Sequence, residues 1–143
     1  MASMDDKGFW QRTASFMFFV AATLGIASVL HLSGLVHGRH RSFQPSSAGW
    51  AELVIGGVLA TAAAVVWPGG DGARGASLAG LGFTIAGFLV GLRFTAQDGA
   101  LPDIAYHLTT LPLLVAAFVI VWRRKSKQAG KTPRATTATS RQG

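Results

Sequence analysis

The sequence predicts an all-α fold, a bundle of four transmembrane helices running up-down-up-down, and three observations support this. Four apolar stretches, 13–33, 50–67, 76–96 and 103–122, occupy most of the 143 residues. At ~1.5 Å of rise per residue, each stretch as a helix reaches across a hydrocarbon core of ~30 Å, the shortest with tilt or local thinning. Half of the residues are hydrophobic and only 13% are charged, so a soluble domain of this length could not bury all four stretches and keep a polar surface. The connections are short, which leaves no room for a separate soluble domain.

Residues 1–12, MASMDDKGFWQR, form a short polar N-terminal segment. A signal peptide would begin in a similar way. However, the apolar run that follows is longer than the ~7–15 residues of a signal core and no A-x-A site closes it, so it is expected to stay as a membrane helix. A polar loop carrying HGRHR, with His37 and His40 flanking Arg39, leads to the second helix, which Trp50 opens and Trp67 closes. Pro68-Gly69-Gly70-Asp71-Gly72 then makes an abrupt turn. The third helix is glycine-rich, and the fourth ends at Trp122-Arg123-Arg124. Residues 123–143 hold seven basic and no acidic side chains and show no apolar periodicity. They are expected to be a disordered basic tail.

Lysine and arginine set the expected orientation. With four spans both termini share a side, and that side collects Lys7, Arg12, Arg74 and the seven basic residues of the tail. The opposite side holds only Arg39, Arg41 and Arg93. Both termini are therefore expected in the cytoplasm. Trp10, Trp67 and Trp122 would mark that interface and Trp50 the outer one. Alanine, glycine and arginine are abundant, which suggests a bacterial gene of high G+C content and hence a multi-pass protein of the bacterial plasma membrane.

The net charge of +7 is confined to the tail, because residues 1–122 carry six basic and six acidic side chains. A basic tail directly after a membrane helix fits anionic lipid headgroups, whereas nucleic acid would be met by a basic patch on a folded surface. The expected partner is the lipid bilayer, with no nucleic acid. Cysteine is absent, which removes disulfides and thiol chemistry, and asparagine is absent, which removes N-glycosylation. The two halves do not superimpose their polar positions, so an inverted-repeat transporter is not indicated.

Small residues let helices approach closely in lipid. Gly80, Thr84, Gly87 and Gly91 share one face of the third helix, and Gly56, Ala60 and Ala63 share one face of the second. They read as packing seams within the bundle or, alternatively, as the seam of a homodimer or larger membrane complex.

Titratable groups at membrane depth are costly and single themselves out. His31 ends the first helix, Glu52 begins the second, Arg93 ends the third, and Asp103 and His107 begin the fourth. In an up-down-up-down bundle all five gather towards the outer end. Glu52 continues the small-residue face of its helix. Asp103, His107 and Thr110 form a polar stripe, and Asp103 also suits a helix start. Arg93 points away from the glycine seam and is placed to snorkel to the interface.

Four readings compete: interfacial caps with an ion pair such as Glu52 with Arg93; a polar pocket for a small ligand or for protons; a divalent metal on Asp103, His107, Glu52 or His31; and haem between His31 and His107. No cofactor is predicted. Pro112 removes a backbone donor and predicts a bend, with Thr109 or Thr110 placed to satisfy the carbonyl of Leu108. No phosphate-binding loop, nucleophile elbow, zinc-protease or prenylation motif occurs. The chain is therefore expected to be a non-catalytic binding or structural membrane subunit. The alternative is a small transporter or a redox- or metal-binding membrane protein using the outer polar cluster.

The loop cluster HGRHR, the glycine-rich ASLAGLGFTIAGFLVGL and DIAYHLTTLPLLV leading to a WRRK end resemble the layout of small four-helix integral membrane proteins of actinobacteria. The resemblance covers most of the chain and implies the membrane bundle, but no activity and no site residue. DoxX-like proteins are similar in size and helix count without a shared distinctive motif.

Overall fold

The structure, a computed structural model, describes residues 4–35, 45–98 and 101–124. The HGRHR cluster and the tail from Lys125 onward lie outside the described residues. Four helices follow in order: α1 (Met4–Leu32), α2 (Pro45–Val66), α3 (Ala73–Asp98) and α4 (Leu101–Arg123). No strand occurs among the described residues. All four helices are long and apolar enough to cross a membrane. Helix α1 starts at Met4 rather than at 13, because nothing in DDKGFWQR breaks a helix and Asp5 and Asp6 favour the positive end of its dipole.

The helices pack in chain order, α1 on α2, α2 on α3 and α3 on α4, with α1 also touching α3. On α1 the residues turned inward are Trp10, Ala14, Met17, Ala21, Leu24, Ser28 and His31. Their alternating steps of four and three are the spacing of a left-handed helix seam. Helix α2 answers with Glu52, Leu59, Ala63 and Val66 buried. The outward faces carry large apolar side chains such as Phe19, Val58, Leu89 and Ile120. Those faces suit lipid, and the polar residues Ser28, Ser77 and Thr84 lie inside.

The small-residue seams are used within the bundle. A Cβ on Gly80 would stand 2.6 Å from Cβ of Ala62 and 3.1 Å from Cε of Met17, so α3 lies close against α2 there and receives the tip of the Met17 side chain from α1. Gly87 faces Ile55 of α2, Gly91 faces the ring of His107 on α4, and Gly56 faces Leu24 of α1. Thr84 is fully buried, and its hydroxyl donates to the carbonyl of Gly80 at 2.8 Å. Ala60 is partly buried against the same core. These glycines thus face α1, α2 and α4 of the same chain.

The end of the bundle that holds Met4 and Arg124 is called proximal below, and the other end distal. At the proximal end Trp10 is buried, its ring against Gly69 in the turn between α2 and α3. Gly69 and Gly70 have φ of 74° and 105°, left-handed values that glycine adopts without strain. The guanidinium of Arg124 donates to the Asp6 carboxylate and lies over the ring of Phe9, 3.7 Å from its centroid. Arg74 donates to the carbonyls of Trp122 and Arg124, at 3.0 and 3.2 Å, which satisfies the open end of α4. Pro112 sits inside a continuous α4. The Thr109 hydroxyl bonds the carbonyls of Ala105 and Tyr106 rather than that of Leu108, because a hydroxyl reaches back three or four residues.

Gly80→Ala should destabilise the bundle by about 1–3 kcal/mol through overpacking against Ala62. Gly57→Ala, which has open space at its Cβ, should be neutral or slightly stabilising because alanine is the better helix former. Unfolding of both variants in mild detergent would measure the contrast, and equal effects would mean that the α2–α3 contact at Gly80 is not close.

Candidate functional site

Three helices meet at the distal end through one imidazole. His31 is the last inward residue of α1 and only 3% exposed. Its Nδ1 lies 2.8 Å from Oε2 of Glu52 on α2, and its Nε2 lies 3.1 Å from Oδ2 of Asp103 on α4. Glu52 reaches it because the small-residue face of α2 turns toward α1. Asp103 reaches it from the first turn of α4.

The contacts of this triad set the fewest protons that it holds. A ring nitrogen and a carboxylate oxygen at bonding distance share one proton between them, so two contacts hold two protons. An imidazolium with two carboxylates satisfies this, and so does a neutral imidazole with one carboxylic acid and one carboxylate. Both forms carry one net negative charge, and a proton shift along a hydrogen bond interconverts them.

His107 stands one turn beyond Asp103. Its Nδ1 donates to the Asp103 carbonyl at 2.8 Å, which leaves Nε2 of the neutral ring as an acceptor facing Gly91. Phe88, buried in the core, packs on this ring with centroids 5.0 Å apart. Tyr106 bonds Thr23 of α1 through its hydroxyl at 2.8 Å, a second polar tie between α1 and α4. Ser28 donates to the carbonyl of Gly49 at 2.8 Å and fastens α1 to the start of α2.

A cavity of about 880 Å³ opens beside the triad. Its walls are apolar and come mostly from α2 and α3, with Trp50, Val54, Phe83, Val90 and Phe94 among them. Those five side chains are also exposed on the outer surface of the bundle, so the cavity is a crevice that opens sideways. Its polar floor is made by His31, Glu52, Asp103 and His107.

Four of the five polar residues singled out in the sequence thus come together, and Arg93 does not. It is exposed and forms no ion pair among the described residues. The Glu52–Arg93 pair is replaced by Glu52–His31, because helical phase turns Arg93 away from the seam. His31 has both nitrogens engaged by carboxylates, so it has no lone pair for haem iron or a metal while the triad stands. Among the described residues no group of three His, Asp or Glu side chains is arranged to hold a metal ion. The Tyr106–Thr23 tie and the Arg124–Asp6 clasp were not anticipated. An inward phase for α1, on which Thr23 and Asp6 lie, would have been the only signal for them.

Compared with protein-family models, curated proteins and solved structures, the chain matches none. The functional reading therefore rests on the site alone.

His31→Ala leaves two buried carboxyl groups without their donor and should cost about 3–5 kcal/mol, the range for breaking a buried charged pair. Glu52→Ala in the His31→Ala background should cost much less than Glu52→Ala alone. A double-mutant cycle on detergent unfolding reads this coupling, and additive effects would show that the pair contributes nothing.

Proposed function

We propose that this chain is an up-down-up-down bundle of the bacterial plasma membrane, with both termini cytoplasmic, that binds a small amphiphilic molecule reaching it from the bilayer. It performs no catalytic step of its own. The observation that carries this reading is the crevice of about 880 Å³ with a polar floor at Glu52, Asp103 and His107. A set of interfacial caps would leave no such space. Ligand pockets are typically ~300–1,000 Å³, largely apolar, with a few converging polar groups, and this crevice has that make-up.

Close contacts support the up-down course. Leu32 lies against Gly49 and Trp10 against Gly69, Ala62 lies against Gly80, and His107 lies against Gly91. Each pairs the end of one helix with the start of the next, or the reverse. The basic residues support a cytoplasmic proximal end, with anionic headgroups as the partner of the tail. Transport is the second reading, favoured by a triad whose protons can shift between three side chains next to the pocket.

Two measurements test the proposal. Reporter fusions after Ser33, Gly70, Gly99 and Gly143 should read outside, inside, outside and inside, and a C-terminus on the outer side would overturn the orientation. Native mass spectrometry of protein released from membranes should find a bound small molecule in the wild type. Ala86→Trp, which places an indole in the crevice, should lose it. Retention of the same molecule by Ala86→Trp would place it elsewhere.

A further inference from the structure

The crevice is chemically one-sided. Glu52 and Asp103 each commit one oxygen to His31, and neither has another hydrogen-bond partner among the described residues. His107 commits its Nδ1 proton to a backbone carbonyl, and its Nε2 has no partner among the described residues either. The floor therefore presents two carboxylate oxygens and an imidazole nitrogen to the cavity. All three accept hydrogen bonds. With the two protons that its contacts require, the triad beneath them carries one net negative charge.

From these observations, and resting on the pocket reading above, we infer that the occupant of the crevice is a protonated amine with an apolar body: an ammonium group with N–H donors, seated between Glu52, Asp103 and His107.

The physical reasons are three. An ammonium group supplies up to three donors and one positive charge, which match the acceptors and the charge on the floor. In a membrane interior an uncompensated charge is expensive, and no lysine or arginine among the described residues pairs with either carboxylate. The walls add to the match, because Trp50, Phe83 and Phe94 offer aromatic faces that attract a cation and cover an apolar body. A metal ion is the competing cation. The described residues hold no three-ligand group for one, and a bare ion would leave the apolar walls unused.

The test uses the full chain in nanodiscs of zwitterionic lipid, with binding to empty discs subtracted. Three probes share one body: 2-(1-naphthyl)ethylamine, its N,N,N-trimethylammonium analogue and 2-(1-naphthyl)ethanol. The amine should bind at least about tenfold more tightly than either analogue, as charge-assisted hydrogen bonds exceed neutral ones. Glu52→Gln and Asp103→Asn, which remove charge with little change of shape, should each lose that preference. Because each of these variants alters a partner of His31, Ala86→Trp serves as a second probe and should abolish binding with the floor intact.

Equal affinity for the trimethylammonium analogue would overturn recognition through N–H donors. Equal affinity for the alcohol, lost in Ala86→Trp, would overturn the ammonium assignment and keep the pocket. Binding of all three probes unchanged by Ala86→Trp, or no binding above empty discs, would overturn the pocket reading itself.

Discussion

A buried imidazole held between two carboxylates from two other helices is the constraint around which the distal half of this protein is arranged. In lipid there is no water to satisfy a carboxylate, so Glu52 and Asp103 must find donors inside the protein. His31 supplies both, at 2.8 and 3.1 Å. That requirement brings the last turn of α1, the second turn of α2 and the first turn of α4 to one point. Helix α4 depends on it most, since only Thr110, Leu114 and Val121 of that helix are buried. Ordinary interhelical hydrogen bonds in membranes contribute roughly 0.6 kcal/mol on average, so Thr23–Tyr106 and Ser28–Gly49 align helices more than they hold them. The triad and the glycine contacts hold them.

The two ends of the bundle are closed by different chemistry. The proximal end is fastened by arginines, with Arg124 on Asp6 and Phe9 and Arg74 on the end of α4. Nearer that end of α3, Gly80 lets the helix close on Ala62 of α2 and take the tip of Met17 from α1. Towards the distal end Gly87 of α3 faces Ile55 of α2, and the crevice opens between the two helices beside it. A polar triad at the bottom of an apolar crevice leaves costly groups facing open space. The stability that the triad demands and the site it offers come from the same residues.

The sequence made much of this legible because polarity in an apolar helix is conspicuous. His31, Glu52, Asp103 and His107 stand out as ionisable residues at membrane depth, and helical spacing groups the last two. It also separated Arg93 from the glycine seam, although a pairing with Glu52 remained among the alternatives. The small-residue faces of α2 and α3 were equally visible. The inward stripe of α1 was not. Trp10, Ala14, Met17, Ala21 and Leu24 lie among residues as apolar as themselves, so no contrast marks which face turns inward. With that phase unknown, His31 could be named as a candidate but not as the group that pairs both carboxylates. The clasp between Asp6 and Arg124 was hidden for a different reason: a residue near each end of the chain acquires a partner only once four helices have been traced.

The sequence by itself determined the number of helices and their apolar character, because burial in lipid is written residue by residue in composition. It also determined which polar residues must be accounted for. Tertiary structure alone decided which of them meet, because that depends on the rotation of each helix about its axis, and a helix that is apolar on every side does not display its rotation in sequence. The same rotation decided that the glycines of α3 face α1, α2 and α4, and that space remains beside Glu52 and Asp103 for a third party.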